Sequence, residues 1–133
     1  GVRGQQVSPQ RGAGGGGASV NITSLGSDRV MPEYVVIGAS KAALEAVTRY
    51  MAVEFRPMGI VVNAVSGGLV DTDALKHFPN REAMLDKSNA RTPAGRIVEP
   101  DDIAGVVRFL CSPDASMGLG QVIVVDGGYS VVA

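Results

Sequence analysis

Tryptophan is absent, and cysteine and histidine occur once each, as Cys111 and His77. A single cysteine excludes an internal disulfide framework and fits a reducing compartment. A single histidine leaves a His-based triad or a histidine-rich metal centre without its parts. The carboxylates Asp71, Asp73, Asp101 and Asp102 are scattered, and the last two read as helix-start residues, so no metal is expected. Charge is short of a dominant sign: 12 Lys and Arg face 13 Asp and Glu, a net of −1. That balance offers no footprint for nucleic acid or an anionic membrane. No apolar run approaches the roughly 20 residues of a membrane span, and the opening GVRGQQVSPQRG lacks the apolar core of a secretory signal. The cytoplasm is the expected location.

What is present is a globular balance. Of 133 residues, 45% are apolar and 19% charged, enough for one domain with a core. Residues 1–18 are polar and glycine-rich and read as a flexible arm, with the ordered domain over 19–133. The run Ala18-Ser-Val-Asn-Ile-Thr-Ser24 predicts a short strand, and a polar loop follows from Gly26 to Glu33. From Tyr34 to Phe55 apolar residues recur at helical spacing (Ala39, Ala42, Ala43, Ala46, Val47, Tyr50, Met51, Val53), and Pro57 with Gly59 ends the helix. Ile60-Val-Val-Asn-Ala-Val65 predicts a strand buried on both faces. Residues 73–92 predict one or two short mobile helices. Pro100-Asp-Asp-Ile103 opens another helix, with Ile103, Val106, Val107, Phe109 and Leu110 facing inward and Cys111 a buried structural thiol. Gln121 to Asp126 predicts a third buried strand. The order β-α-β-α-β, with crossovers of more than a dozen residues, predicts an α/β fold: parallel strands, doubly wound and right-handed.

Gly12-Ala-Gly14-Gly-Gly-Gly17 satisfies G-x-G-x-x-G, the dinucleotide fingerprint, in form alone. That motif works between a strand and a helix whose amino terminus holds the pyrophosphate. Here a polar stretch precedes it and a strand follows, so it is read as part of the arm.

Three other motifs stand in order. Asn21-Ile-Thr-Ser24-Leu-Gly-Ser, Tyr34 and Gly38-Ala-Ser-Lys41-Ala-Ala-Leu-Glu together resemble the catalytic centre of the short-chain dehydrogenases/reductases. Val62-Asn63-Ala-Val-Ser-Gly-Gly68-Leu-Val-Asp-Thr72 resembles that family's nicotinamide-contacting loop, and Gly120-Gln-Val-Ile-Val-Val-Asp126-Gly-Gly128 its last strand. The common family spacing is Tyr-x3-Lys, but the residue four before Lys41 is Ile37, and tyrosine stands at 34. Tyr-x6-Lys is the spacing of the enoyl-acyl-carrier-protein reductases within the superfamily. The flanking Asp28 to Tyr34 and Leu75 to Arg81 resemble the bacterial NADPH-preferring type III enzymes.

Either spacing leaves both side chains on one helix face, about one turn or about two turns apart. Carbonyl reduction protonates an oxygen on the carbon that takes hydride. In enoyl reduction the charge develops on the thioester oxygen, two carbons from the hydride, and a displaced tyrosine answers a displaced oxyanion.

The resemblance implies the carboxyl-terminal half of a Rossmann-type sheet, with the first βαβ unit and its pyrophosphate turn absent from these residues. It implies reduction of the 2,3 double bond of an acyl-carrier-protein or CoA enoyl thioester, as in fatty acid biosynthesis. The cofactor would be NADPH, with NADH as the alternative, and the assembly a homo-oligomer, dimer or tetramer. Tyr34 would hydrogen-bond the thioester carbonyl, and Lys41 would grip the nicotinamide ribose. Ser24 stands where related enoyl reductases can carry a second tyrosine and is read as a wall residue able to donate a hydrogen bond. Gly67, Gly68, Leu69 and Val70 would contact the nicotinamide, the Thr72 hydroxyl a cofactor phosphate, and residues 73–92 would form a substrate flap. Two alternatives stay open: a carbonyl or alcohol dehydrogenase of the same superfamily, including a 3-ketoacyl reductase, and an inactive fragment that only oligomerises through its alanine-lined helix.

Overall fold

The computed structural model describes residues 5–8, 16–70 and 79–133. Three parallel strands form the body of the sheet, as the sequence predicts: β2 (Gly17–Ser24), β3 (Ile60–Gly67) and β4 (Val122–Val125). β4, expected to be buried, is instead the last strand in the order, with Ile123 and Val124 exposed. The β-branched runs explain them, and β3, central in the order, is buried along nearly its whole length. A fourth strand, β1 (Gln5–Ser8), pairs antiparallel with Ala18 to Asn21 of β2. It falls inside the stretch read as a flexible arm, and β2 itself starts at Gly17 rather than Ser19. The reason is backbone chemistry: the free edge of β2 offers unpaired N–H and C=O groups, and any extended segment can meet them. The glycine run at 12–15 lies outside the described residues.

Helix α1 (Val35–Phe55) joins β2 to β3, and α3 (Pro100–Leu110) precedes β4; α2 (Arg81–Arg91) lies between. Gly59, at φ 76°, supplies the left-handed turn that releases the chain from α1 into β3. Pro100 occupies the first turn of α3, and Glu99 and Asp102 exchange backbone hydrogen bonds there as a capping box. Arg96 adds a bidentate pair to Asp102, at 2.7 and 3.0 Å. With the Glu99 N–H it holds that exposed carboxyl down to about 2.

The two helices take opposite faces of the sheet. Asn21 Nδ2 donates to Thr48 Oγ1 at 2.9 Å, and the Thr23 hydroxyl donates to Glu45 at 2.8 Å, so α1 lies over the odd-numbered residues of β2. Val20, Ile22, Val65 and Val125 on the other face pack against Ile103, Val106, Val107 and Leu110 of α3, with Cys111 half-buried beside them. Winding on both faces agrees with expectation; uniform right-handedness does not. The path β2, β3, β4 advances one way across the sheet, so crossovers on opposite faces have opposite hands. One of them departs from the usual rule.

Two inward-facing assignments also differ. Phe109 is 54% exposed, since it stands beside Leu110, whose direction into the core leaves its neighbour outside. The buried residues of α1 are Gly38, which packs on the Gly26 peptide, Thr48, which meets β2, and Ala52, whereas Val47, Tyr50 and Val53 of the predicted apolar set are exposed.

Candidate active site

β2 ends at Ser24 directly opposite Gly67 in register, and Gly67 lies opposite Val125 of β4. Three carboxyl-terminal strand ends therefore meet, the edge at which open α/β sheets take ligands. The loop after β2 turns back at Glu33, the one described non-glycine residue with positive φ, 58°. That bend places Tyr34 as the N-cap residue of α1. The Tyr34 hydroxyl lies 3.3 Å from Ser24 Oγ. Two turns along, Lys41 Nζ donates to the Ile22 carbonyl at 3.2 Å. Phenol and ammonium thus reach the same end of β2, at residues two apart, and both side chains are half-buried. Tyr34 meets Ser24, and Lys41 reaches the same strand two residues earlier, in keeping with the one helix face expected for the tyrosine and lysine.

Gly67, Gly68, Leu69 and Val70 follow at the end of β3. The Gly68 N–H donates to the Val125 carbonyl at 3.2 Å, and Val70 bridges to Val98. Neither glycine has positive φ. What they supply is room: a Cβ at Gly67 would lie 2.8 Å from Ile103 Cδ1, and one at Gly68 3.0 Å from Asp126 Cβ. Thr72 and His77, with Asp71 and Asp73, lie outside the described residues. Among the described residues no cluster of His, Cys, Asp or Glu could hold a metal ion, and no helix is long and apolar enough to cross a membrane.

Asp126 closes the site from the β4 side. Its buried carboxylate accepts from the Gly128 and Ser130 N–H groups, each at 2.9 Å. Arg29, from the loop before Tyr34, donates to the Ser130 carbonyl. Burial pushes the Asp126 carboxyl up, but the Ser130 hydroxyl and N–H, the Gly128 N–H and the Arg29 charge outweigh it and hold it below the usual carboxylate range. A depressed folded-state pKa stabilises above the unfolded value of about 3.9 and is lost as pH falls through the folded value. In urea titrations, the wild-type midpoint is expected to exceed that of Asp126→Asn at neutral pH, with the gap closing on acidification below about pH 4. A gap independent of pH would remove this role.

Gly26 and Gly38, which stand in the catalytic-centre motif with no role assigned from the sequence, pack beneath Tyr34. The available signal was a glycine in the first turn of an otherwise alanine-rich helix, a placement that calls for a packing reason.

A parallel sheet wound on both faces, with tyrosine, serine and lysine gathered at its carboxyl edge, is the layout of the Rossmann-type short-chain dehydrogenases/reductases. The family model described as enoyl-(acyl carrier protein) reductase matches residues 5–130, and the chain belongs to that family. It is 47% identical over 120 residues to the 1-cyclohexenylcarbonyl-CoA reductase of Streptomyces collinus, covering 89% of this chain and 43% of that protein. It is 42% identical over 119 residues to the enoyl-[acyl-carrier-protein] reductase [NADH] of Escherichia coli, covering 89% of this chain and 45% of that protein. Among solved structures, the Bacillus cereus enoyl-acyl carrier protein reductase with NADP+ and indole naphthyridinone superposes with a TM-score of 0.82 at 34% identity. That match covers 89% of this chain and 46% of that one. The chain spans about half the length of the curated relatives it matches.

Proposed function

We propose that this chain is the catalytic half of an enzyme that reduces the 2,3 double bond of an enoyl thioester, on acyl carrier protein or CoA, in fatty acid biosynthesis. The observation that carries the reading is the meeting of Tyr34 and Lys41 at one end of β2, on a Tyr-x6-Lys spacing. The names of the relatives, reductases of enoyl thioesters, support the substrate class.

A nicotinamide cofactor, when bound, supplies the hydride. Tyr34 donates a hydrogen bond to the thioester oxygen and stabilises the enolate as charge develops there. The Ser24 hydroxyl, 3.3 Å from the phenol, orients it. Lys41 commits one N–H to the Ile22 carbonyl, and its other two donors suit a ribose diol. Gly67 to Val70 line the nicotinamide end, and Thr72 would reach a phosphate. The residues of this chain thus fit that end of the cofactor; the pyrophosphate turn belongs to an amino-terminal half of the kind its relatives have. NADPH is the proposed form, on the resemblance to type III enzymes. The NADP+ in the Bacillus cereus structure supports that choice, and the NADH named for the Escherichia coli relative makes NADH the competitor.

Joined to such a half, the protein is expected to oxidise NADPH with crotonyl thioester and not with acetoacetyl thioester. The reverse preference would assign a ketoreductase instead.

A second reading has its own observation. Opposite its sheet contacts, α1 exposes an apolar stripe of Val36, Ala39, Ala43, Val47, Tyr50 and Val53. That stripe suits self-association, as a dimer or a tetramer. For the 133-residue chain alone, sedimentation and NADPH titration separate the readings: self-association without cofactor binding favours an oligomerisation module, and cofactor binding the enzyme.

A further inference from the structure

We propose that Gly26 and Gly38 are positioning residues for Tyr34, holding its ring in a slot that exists only because both lack side chains. The inference rests on the reading of Tyr34 as the group that touches the thioester oxygen. Neither glycine has positive φ, so backbone conformation does not require glycine at either position. Space does. A Cβ on Gly26 would stand 2.4 Å from both Cδ1 and Cε1 of the Tyr34 ring. Those are mid-ring atoms of a rigid side chain, unable to yield as a flexible tip would. A Cβ on Gly38 would stand 2.6 Å from the Gly26 carbonyl oxygen. The three residues therefore form a stack: the first turn of α1 lies against the Gly26 peptide, and the Gly26 α-carbon against the phenol ring.

Further contacts close the slot. The Gly38 N–H donates to the Tyr34 carbonyl at 2.7 Å, fixing the tyrosine backbone to the same turn. The left-handed bend at Glu33 leads directly into Tyr34, and Met31 Cε lies 3.5 Å from the place of a Gly26 Cβ. Glycine within a helix costs about 1 kcal/mol relative to alanine, so Gly38 is retained against helix propensity, and the contact with Gly26 supplies the reason. At the far end of the ring, the hydroxyl sits 3.3 Å from Ser24 Oγ. A methyl group at position 26 must move the ring by about 1 Å to restore ordinary van der Waals contact, and the hydroxyl moves with it.

The test uses the polypeptide that carries this chain together with an amino-terminal half, assayed with crotonyl thioester and NADPH. Gly26→Ala is expected to lower kcat about 10- to 100-fold, the scale of a displacement of up to an ångström, with the KM for NADPH unchanged. Acting through Tyr34, it should cost nothing further in the Tyr34→Phe background. Wild-type kcat in Gly26→Ala, or losses that multiply in the double variant, overturn the positioning role and leave that of Tyr34 standing. Normal turnover in Tyr34→Phe overturns the catalytic reading itself, and the positioning role with it. Should Gly26→Ala not fold, nuclear Overhauser contacts decide in the unaltered protein. Contact between the Gly26 α-protons and the Tyr34 ring upholds the stack, and its absence removes it.

Discussion

Tyr34→Phe is expected to lower kcat for enoyl-thioester reduction about 100- to 1000-fold, the usual cost of losing one preorganised donor to a developing oxyanion. The substitution keeps the ring that lies on Gly26 and removes only the oxygen 3.3 Å from Ser24. Structure and cofactor affinity should therefore persist while the chemical step slows. Steady-state kinetics with crotonyl thioester, beside a cofactor titration, provide the measurement. A variant with full kcat would show that the phenol does not touch the reacting oxygen. Lys41→Met is distinguishable, because its deficit should appear first as weaker cofactor binding.

Asn63→Ala is expected to destabilise the fold by about 2–4 kcal/mol, as two hydrogen bonds are lost and their partners left unpaired. Asn63 is buried in the centre of β3. Its Nδ2 donates to the Gly118 carbonyl at 2.7 Å, and its Oδ1 accepts from the Gln121 N–H at 3.0 Å. One side chain thereby clamps both ends of the turn that feeds β4, at Gly120 with φ 69°. With a urea dependence of about 2 kcal/mol/M, the midpoint should fall by about 1–2 M. Asn63→Asp keeps the acceptor but sets a carboxylate against the Gly118 carbonyl, so it should be no more stable than the alanine variant. A shift within about 0.5 kcal/mol for either, the range of ordinary surface substitutions, would show that the clamp is dispensable.

Much of this was legible because local chemistry and chain order coincide. The β-branched runs mark β2, β3 and β4. The seven-residue step from Tyr34 to Lys41 puts both on one helix face whatever α1 packs against. Periodicity on α1, however, tells which residues share a face and not which face meets the sheet. The helix is apolar on two sides, and the side that meets β2 joins it through Asn21 with Thr48 and Thr23 with Glu45 rather than through its exposed valines. The hand of a crossover is likewise silent in chain order, since the same sequence of elements fits a helix on either face. The slot beneath Tyr34 was hidden for a third reason: Gly26 and Gly38 are twelve residues apart, and only folding lays one upon the other.

The exits of α2 and β4 are fastened to each other. A Cβ on Gly127 would lie 2.7 Å from Thr92 Cγ2 and one on Gly128 3.0 Å from Pro93 Cγ, and the Ala94 N–H donates to the Gly127 carbonyl at 3.0 Å. The carboxyl end of α2 is thereby tied to the strand end that carries Asp126, so a side chain added at Gly127 would push on both at once.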